Sequence, residues 1–184
     1  MARWDPDGKL AVVTGASSGI GRCLCKRLAA AGCNVIAVAR RGDRLRELAN
    51  EQQGLIAVVG DVTDASIHLE IESVVRSQGG TLDLLINNAG IGGIGPFADA
   101  NPTRLRKIMD VNFFAPAELT RRLLPALLAS PDAVICNICS VLGHRAVPDK
   151  SEYCASKFAL HGWSDALRCE LATTSVHVTL VSPS

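Results

Sequence analysis

The feature that most constrains the fold is a regular alternation of short apolar runs with longer amphipathic segments along the chain. The apolar runs are rich in Val and Ile, as is typical of buried strands, and the segments between them have helical periodicity. This alternation predicts an α/β fold, a doubly wound parallel sheet with helices on both faces. We predict about six strands, at residues 9–14, 34–39, 55–60, 82–86, 133–138 and 176–181.

The intervening segments predict five helices. Pro116 and Pro125 are expected to bend or interrupt the fourth helix. Ser151 is expected to cap the fifth, with Glu152 in its first turn, where a negative charge suits the helix dipole. The predicted helices cover residues 22–31, 43–52, 63/64–77 (with Thr63 or Asp64 as the cap), 102–129 and 151–171.

A glycine-rich turn joins the first predicted strand to the first helix. Gly15 would let the chain leave the strand sharply, Gly19 would let a pyrophosphate approach the backbone, and Gly21 would let the helix pack on the strand. Amides at the helix N-terminus would then face the phosphates. A glycine turn without a ligand is the alternative interpretation. The spacing, Gly-x-x-x-Gly-x-Gly, differs from the Gly-x-Gly-x-x-Gly of many dinucleotide-binding proteins.

Arg40 and Arg41 directly follow the second predicted strand, and no acidic residue ends that strand. At this position an acid would hold the ribose 2′-hydroxyl of NAD(H), whereas an arginine accommodates the 2′-phosphate of NADP(H). A charge-assisted bond to phosphate contributes about 1.5–3 kcal/mol. The pair therefore favours NADP(H), with NAD(H) as the less favoured cofactor. Two solvated arginines at the start of the next helix are the alternative interpretation.

Polar or small residues follow several of the other predicted strands. Asp61, Asn88 and Ser140 each lie at or just beyond a strand end, as Gly15 and Arg40 do. Ligands of doubly wound sheets bind at the carboxyl ends of the strands, so we expect these five residues to converge on one site.

Tyr153 and Lys157 are four residues apart in the last predicted helix and therefore lie on one helical face. A phenol with its ordinary pKa of about 10 is a poor acid or base at neutral pH, and a nearby cation favours its ionised form. Ser140 could hydrogen-bond the substrate oxygen with which such a phenol would exchange a proton. The alternative is a helix with one exposed tyrosine and one exposed lysine.

Together these motifs resemble those of the classical short-chain dehydrogenase/reductase family over essentially the whole chain. The resemblance implies one NAD(P)-binding domain with a Rossmann-like fold over residues 1–184. The motifs, in chain order, are Thr14-Gly15-x-x-x-Gly19-x-Gly21, Asp61-Val62, Asn87-Asn88-Ala89-Gly90, Asn112, Ser140 and Tyr153-x-x-x-Lys157.

The resemblance also implies a role for each residue. Tyr153 would be the general acid in carbonyl reduction, Lys157 would lower its pKa and hold the nicotinamide ribose, and Ser140 would orient the carbonyl. Asn112, whose spacing alone shows nothing, would position a water in a proton relay. The implied cofactor-binding residues are Gly15, Ser17, Ser18, Gly19, Ile20, Gly21, Arg40, Arg41, Asp61, Val62, Asn88, Ala89, Gly90, Tyr153 and Lys157.

Composition excludes several other classes of function. A net charge of +1 argues against a dedicated nucleic-acid-binding protein. No apolar run is long enough to span a bilayer, and the N-terminus lacks a signal-peptide core. Seven cysteines without an export signal indicate free thiols in the cytoplasm. The four histidines are scattered, so no metal site is predicted.

The sequence departs from the family pattern at two places. Cys139 replaces a serine that often precedes the catalytic serine, which is a small change. Family members usually continue beyond the sixth strand into a substrate-covering segment and a seventh strand, whereas Pro183-Ser184 ends this sequence.

We therefore expect a C-terminally short chain, which is either a truncated family member or a naturally short one. The function predicted for it is hydride transfer between NADP(H) and a small-molecule carbonyl/alcohol substrate by a Ser-Tyr-Lys mechanism. The alternative is an NADP(H)-binding protein without turnover. The resemblance also implies a homo-oligomer, a dimer or a tetramer.

Overall fold

A computed structural model of the protein describes residues 4–184. Six strands form one parallel sheet in the order β3-β2-β1-β4-β5-β6. This confirms the predicted doubly wound, Rossmann-like fold, because the order reverses between β1 and β4. The prediction of no signal-peptide core partly concerns residues 1–3, which lie outside the described residues. The strands are β1 (Leu10–Thr14), β2 (Asn34–Ala39), β3 (Leu55–Val59), β4 (Leu84–Asn87), β5 (Ala133–Ile138) and β6 (Val176–Val181).

The helices flank both faces of the sheet and connect successive strands. Every helix within residues 4–184 is too short or too polar to cross a membrane. The helices are α1 (Gly19–Ala30), α2 (Gly42–Glu51), α3 (Ala65–Ser77), α4 (Pro102–Met109), α5 (Ala115–Leu128) and α6 (Ser151–Glu170), with short 3-10 turns at Phe97–Asp99 and Val141–Gly143.

Alternation along the strands divides the core between the two faces of the sheet. Val12 packs with α3, α5 and α6, whereas its neighbour Val13 packs with α1 and α2 on the opposite face. At the edge strand β6, Val178 is buried, but the alternating residues His177 and Thr179 are exposed.

The long helical region between β4 and β5 is interrupted at a different place from the one predicted. A π-helical turn, Asp110–Phe114, separates α4 from α5. Pro125 lies inside α5 without ending it, and Pro116 lies in its first turn, where a missing N–H costs no helical hydrogen bond. The wider turn carries the buried Asn112, whose amide bonds outside the helix, and single π turns are frequent at functional sites.

The predicted cap of α6 is wrong by one residue. Lys150 is the N-cap, and Ser151 is already the first helical residue. Lys150 has φ −130° and ψ 15°, so the chain is still outside the helix at that residue. At α3, Asp64 is the cap, one of the two predicted residues, but its side chain does not bond the helix amides.

The amino-terminal edge of the sheet is fastened by Asp83, a buried carboxylate just before β4. It accepts hydrogen bonds from the Leu10 amide at 3.0 Å, from Ser130 Oγ at 2.8 Å and from Lys9 Nζ at 3.2 Å. Burial alone would raise the pKa of Asp83, but these three donors outweigh it and lower the pKa below its ordinary value. The carboxylate therefore stabilises the folded state in its ionised form.

We predict that Asp83→Asn lowers the free energy of unfolding at pH 7 by about 1–3 kcal/mol, because hydrogen bonds to a charged group are lost. Since the folded-state pKa is lowered, this contribution is complete above the unfolded pKa of about 3.9 and disappears as the pH falls through the folded value. Urea denaturation between pH 7 and pH 3 measures the difference between the two proteins, which should shrink in acid. The exposed Asp132→Asn is the matched control, and an equal effect there would contradict the prediction.

Candidate active site

The turn after β1 interlocks with the chain segment that leaves β4. Gly15 has φ 68°, and a Cβ on it would lie 2.7 Å from Asn88 Nδ2 and 2.9 Å from Ala89 Cα. A Cβ on Gly21 would lie 2.5 Å from Gly15 O. Thr14 Oγ1 accepts hydrogen bonds from the amides of Asn88 and Ala89, each at 3.0 Å. Glycine is therefore required at residues 15 and 21 by close backbone packing.

Gly19 plays a different role in the same turn. Its φ is 55°, and a Cβ there would meet nothing within 4 Å, so its backbone borders open space. It is the first residue of α1, where the amides have no partner within the helix. A concave turn with free amides and no side chain in the way fits the pyrophosphate of a dinucleotide.

An open cleft of about 440 Å³ extends from this turn across the carboxyl ends of β2 and β3. All of the predicted cofactor-binding residues line it except three: Gly21 is packed beneath the turn, while Tyr153 and Lys157 lie in the adjoining cleft. The predicted residues that line it are Gly15, Ser17, Ser18, Gly19, Ile20, Arg40, Arg41, Asp61, Val62, Asn88, Ala89 and Gly90.

Arg40 and Arg41 take different positions in this cleft. Arg41 donates from Nε to Ser17 Oγ at 3.0 Å and from Nη2 to Ser18 Oγ at 2.6 Å. Arg40 has a side chain that is 61% exposed and lies 3.5 Å from Asp61 Oδ2. One guanidinium is thus fixed against the glycine turn, and the other is mostly exposed, with a long contact to Asp61.

Asp61 and Val62 border the opposite side of the cleft. Burial alone would raise the pKa of Asp61, but hydrogen bonds from the Thr63 amide and hydroxyl, together with the Arg40 charge, lower it. Val62 is held from below by the buried His68, with Nε2 2.7 Å from Val62 O. Sequence analysis missed His68, since a lone histidine in a helix carries no signal of this contact.

Ser140, Tyr153 and Lys157 come together in a second cleft of about 480 Å³. Ser140 lies two residues beyond the end of β5, and the other two side chains project from the first two turns of α6. Ser140 Oγ accepts the Leu142 amide at 3.1 Å, so its own hydrogen can be donated elsewhere. The two clefts share Ile20, Asn88, Gly90 and Ile91 as lining residues and therefore adjoin each other.

Lys157 is buried at the floor of this second cleft, only 4% exposed. Its Nζ donates to Ile138 O at 2.9 Å and lies 5.8 Å from the centroid of the Tyr153 ring. Burial lowers the pKa of Lys157, and the nearby Cys139 opposes this effect. Cys139 Sγ also donates to Lys157 O at 3.4 Å.

Asn112 does not line either cleft but is buried beside Ile91, which lines both of them. Its Oδ1 accepts the Ile91 amide at 2.9 Å, and its Nδ2 donates to Ile91 O at 3.0 Å. Nδ2 also donates to Ser156 Oγ at 3.0 Å. The side chain therefore joins the π turn, the chain after β4 and α6.

A buried polar network beneath the clefts was missed by sequence analysis. Asn87 Nδ2 donates to Asn137 Oδ1 at 2.8 Å, and Asn137 Nδ2 donates to Ser164 Oγ at 2.8 Å. Asn137 precedes Ser140 by three residues, and Ser164 lies about two turns beyond Lys157. The network fixes α6 against the strand ends. The sequence signal for this network was Asn137, because an amide side chain within an apolar strand needs a buried hydrogen-bond partner.

The sequence model of a protein family described as short chain dehydrogenase matches residues 9–184. The chain belongs to the short-chain dehydrogenase/reductase family. A relative from Anopheles gambiae, "Dehydrogenase/reductase SDR family protein 7-like", is 38% identical over 190 residues, covering 96% of this chain and 59% of the relative. This chain spans 56–63% of the length of the curated relatives that it matches.

Solved structures of family members have the same fold. A metagenomic short-chain oxidoreductase in complex with NADP is 33% identical, with a TM-score of 0.90 over 97% of this chain and 83% of that one. A short chain dehydrogenase/reductase from Burkholderia phymatum in complex with NAD is 27% identical, with a TM-score of 0.94 over 98% of this chain and 67% of that one. Nicotinamide cofactors are therefore bound by structural neighbours of this family member.

We predict that Gly21→Ala lowers the free energy of unfolding by about 1–3 kcal/mol, because the new methyl group would overlap the Gly15 carbonyl. Gly162→Ala is the matched control in α6, where a Cβ meets nothing within 4 Å. That change should leave stability unchanged or raise it by up to about 1 kcal/mol. Chemical denaturation measures both, and a Gly21→Ala protein as stable as the Gly162→Ala protein would contradict the packing argument.

Proposed function

We propose that this protein is an NADP(H)-dependent oxidoreductase that acts on a small-molecule carbonyl/alcohol pair. The observation that carries the proposal is the continuity of the two clefts. The glycine turn, which suits a pyrophosphate, and the side chains of Ser140, Tyr153 and Lys157 open onto one surface through shared lining residues. Membership of the dehydrogenase/reductase family supports the same class of reaction.

In the proposed mechanism Tyr153 moves the proton. Its hydroxyl donates a proton to the substrate oxygen during carbonyl reduction and removes one during alcohol oxidation. The Lys157 ammonium, fixed by Ile138 O, supplies positive charge on the same helical face. Ser140 donates its free hydroxyl hydrogen to the same substrate oxygen and so orients it.

Asn112 is proposed to support the proton path from beneath. Both ends of its side-chain amide bond the backbone of Ile91, which lines both clefts. This places Ile91 and the neighbouring Gly90 at a fixed distance from Lys157, with a Cβ on Gly90 lying 3.8 Å from Lys157 Nζ. A water held beside Lys157 would connect the site to solvent.

The bound dinucleotide would supply the hydride of the reaction. The amides at the start of α1 would bind its pyrophosphate, and Asp61 and Val62 would border its adenine. Lys157 and Tyr153 would hold the ribose next to the nicotinamide.

The preference for NADP(H) rests on Arg40 and Arg41. Family neighbours have been solved with NADP, NAD and NADH, so family membership leaves the choice open. In this chain Arg41 is already bonded to Ser17 and Ser18, and Arg40 is mostly exposed beside the cleft. Two cations at the end of β2 favour a 2′-phosphate.

We predict that Arg40→Ala and Arg41→Ala each raise the Kd for NADPH about 10- to 100-fold, as expected from the loss of a charge-assisted bond to phosphate. The Kd for NADH should change by no more than about threefold, because NADH lacks that phosphate. Titrations of fluorescence with each cofactor measure both constants.

Arg44→Ala is the matched control for this prediction, because Arg44 is an exposed arginine in the first turn of α2, three residues beyond Arg41, and does not line the cleft. Equal losses of NADPH and NADH affinity in the Arg40 and Arg41 variants would contradict the proposed 2′-phosphate contact.

We predict that Tyr153→Phe lowers carbonyl reduction at least about 100-fold, because the proton donor is lost. NADPH binding should remain within a few-fold of the wild-type affinity, since the change removes one hydroxyl from the adjoining cleft. Turnover of a carbonyl panel and NADPH titration measure the two effects. Unchanged turnover in Tyr153→Phe would contradict the mechanism, and tight NADPH binding without turnover in the wild type would favour a binding protein.

We further propose that the protein is a cytoplasmic homo-oligomer, a dimer or a tetramer. All seven cysteines are free thiols, as expected in a reducing compartment. Phe114 and Phe158 expose 38% and 45% of their surface, and Phe158 lies on α6 beside Lys157. Light scattering at several protein concentrations tests the oligomeric state.

A further inference from the structure

Glu152, the residue next to Tyr153 in α6, is a buried carboxylate with one cationic partner. Its side chain is 4% exposed, and its Oε2 accepts from Arg104 Nε and Nη2, each at 2.5 Å. Arg104 comes from α4, so this ion pair joins two helices that pack against each other. A buried charge is costly unless it is paired, and the pairing therefore fixes where the start of α6 meets α4.

The same guanidinium reaches the loop that follows Gly90. Arg104 Nη1 donates to Ile94 O at 3.2 Å, and a Cβ on Gly95 would lie 3.8 Å from that nitrogen. The Gly95 amide in turn donates to Asp149 O at 3.0 Å, one residue before the cap of α6. The contacts therefore form a ring, from Glu152 through Arg104 to the loop at residues 94–95 and back to Asp149, and this ring begins and ends close to Tyr153 in the chain.

The backbone at Asp149, within this ring, has an uncommon conformation. Asp149 has φ 61°, the only positive φ outside glycine in residues 4–184. Such a conformation persists when surrounding contacts determine it. The bond from Gly95 lies at this residue, so the loop at 94–95 and the entry into α6 hold each other.

Tyr153 depends on this arrangement for its direction. Successive residues of a helix point about 100° apart, so Glu152 faces α4 while Tyr153 faces the cleft. Within residues 4–184 no protein group bonds the Tyr153 hydroxyl, whereas Glu152 and Lys157 are both anchored. The rotation of the first turn of α6 is set by those two anchors.

We propose that Arg104 and Glu152 are positioning residues that couple the loop at residues 91–97 to the orientation of Tyr153. The inference rests on the proposed function, in which Tyr153 transfers the proton. Residues 91 and 92 line the same cleft as Tyr153. A substrate that contacts this loop would therefore affect the position of the start of α6 through the ion pair. Neither Arg104 nor Glu152 lines the nucleotide cleft, so their effect on turnover exceeds their effect on NADP(H) binding.

The test compares Glu152→Gln, Arg104→Gln and the double variant in the 184-residue chain. Each single change should lower kcat about 10- to 100-fold, the effect of misplacing a catalytic group by about 1 Å. The Kd for NADPH should stay within a few-fold of the wild-type value, as for Tyr153→Phe, because the glycine turn, Arg40 and Arg41 are unchanged. The double variant should be no worse than the more impaired single variant, because the two residues act as one unit.

Arg106→Gln is the matched control on α4, since it breaks an exposed ion pair with Asp110, four residues along the chain at the start of the π turn. Its kcat should equal that of the wild type. Arg104→Lys separates loss of positioning from loss of folding. Lysine keeps the charge opposite Glu152 but cannot also reach Ile94 O. That variant should keep its Tm and still lose turnover.

Hydrogen exchange separates this inference from the proposed function. The Gly95 amide should exchange faster in Glu152→Gln and Arg104→Lys than in the wild type, and at the wild-type rate in Arg106→Gln. If the Gly95 amide exchanges faster in the two variants but the wild-type protein reduces no carbonyl, the result would support the coupling and count against the proposed reaction. Wild-type kcat and unchanged Gly95 exchange in Glu152→Gln would overturn the coupling, as would a fall in Tm alone.

Discussion

The site depends first on a single hydroxyl between two strand ends. Thr14 Oγ1 donates to Ile86 O at 3.3 Å and accepts the amides of Asn88 and Ala89. Asn88 returns a bond from Nδ2 to Thr14 O at 2.9 Å. Because β1 and β4 are the strands between which the sheet reverses, this cluster fixes the crevice where ligands of doubly wound sheets bind. The glycine turn, the two clefts and Ile91, which lines both clefts, all lie next to this cluster.

The sheet and the edge that bears the site could be predicted because their signals are local. Val and Ile runs mark each strand, and glycine spacing marks the turn at Gly15–Gly21. Parallel strands place their carboxyl ends at one edge, so Arg40, Asp61 and Ser140 were expected to converge without any knowledge of their contacts. The spacing of Tyr153 and Lys157 needed only helical periodicity.

The features that could not be predicted depend on partners distant in sequence. Asn112 lies in a π turn where its amide bonds Ile91, twenty-one residues away, whereas local propensity suggested a break at a proline. Glu152 was expected to interact with the helix dipole, but its ion pair with Arg104 spans forty-eight residues. Buried polar contacts of this kind are specified by the assembled fold, since each partner satisfies the other only after the helices have packed.

The most direct test of the account is a map of where NADPH binds the chain. Backbone amide resonances should be followed by NMR during titration of the labelled protein with NADPH. The account predicts the largest shifts at Ser18–Gly21, at Arg40–Arg41 and at Asn88–Ile91, with little change near Asp83 at the opposite edge of the sheet. Absence of shifts at saturating NADPH, or shifts centred on the Asp83 edge, would contradict the claim that the carboxyl edge is a dinucleotide site.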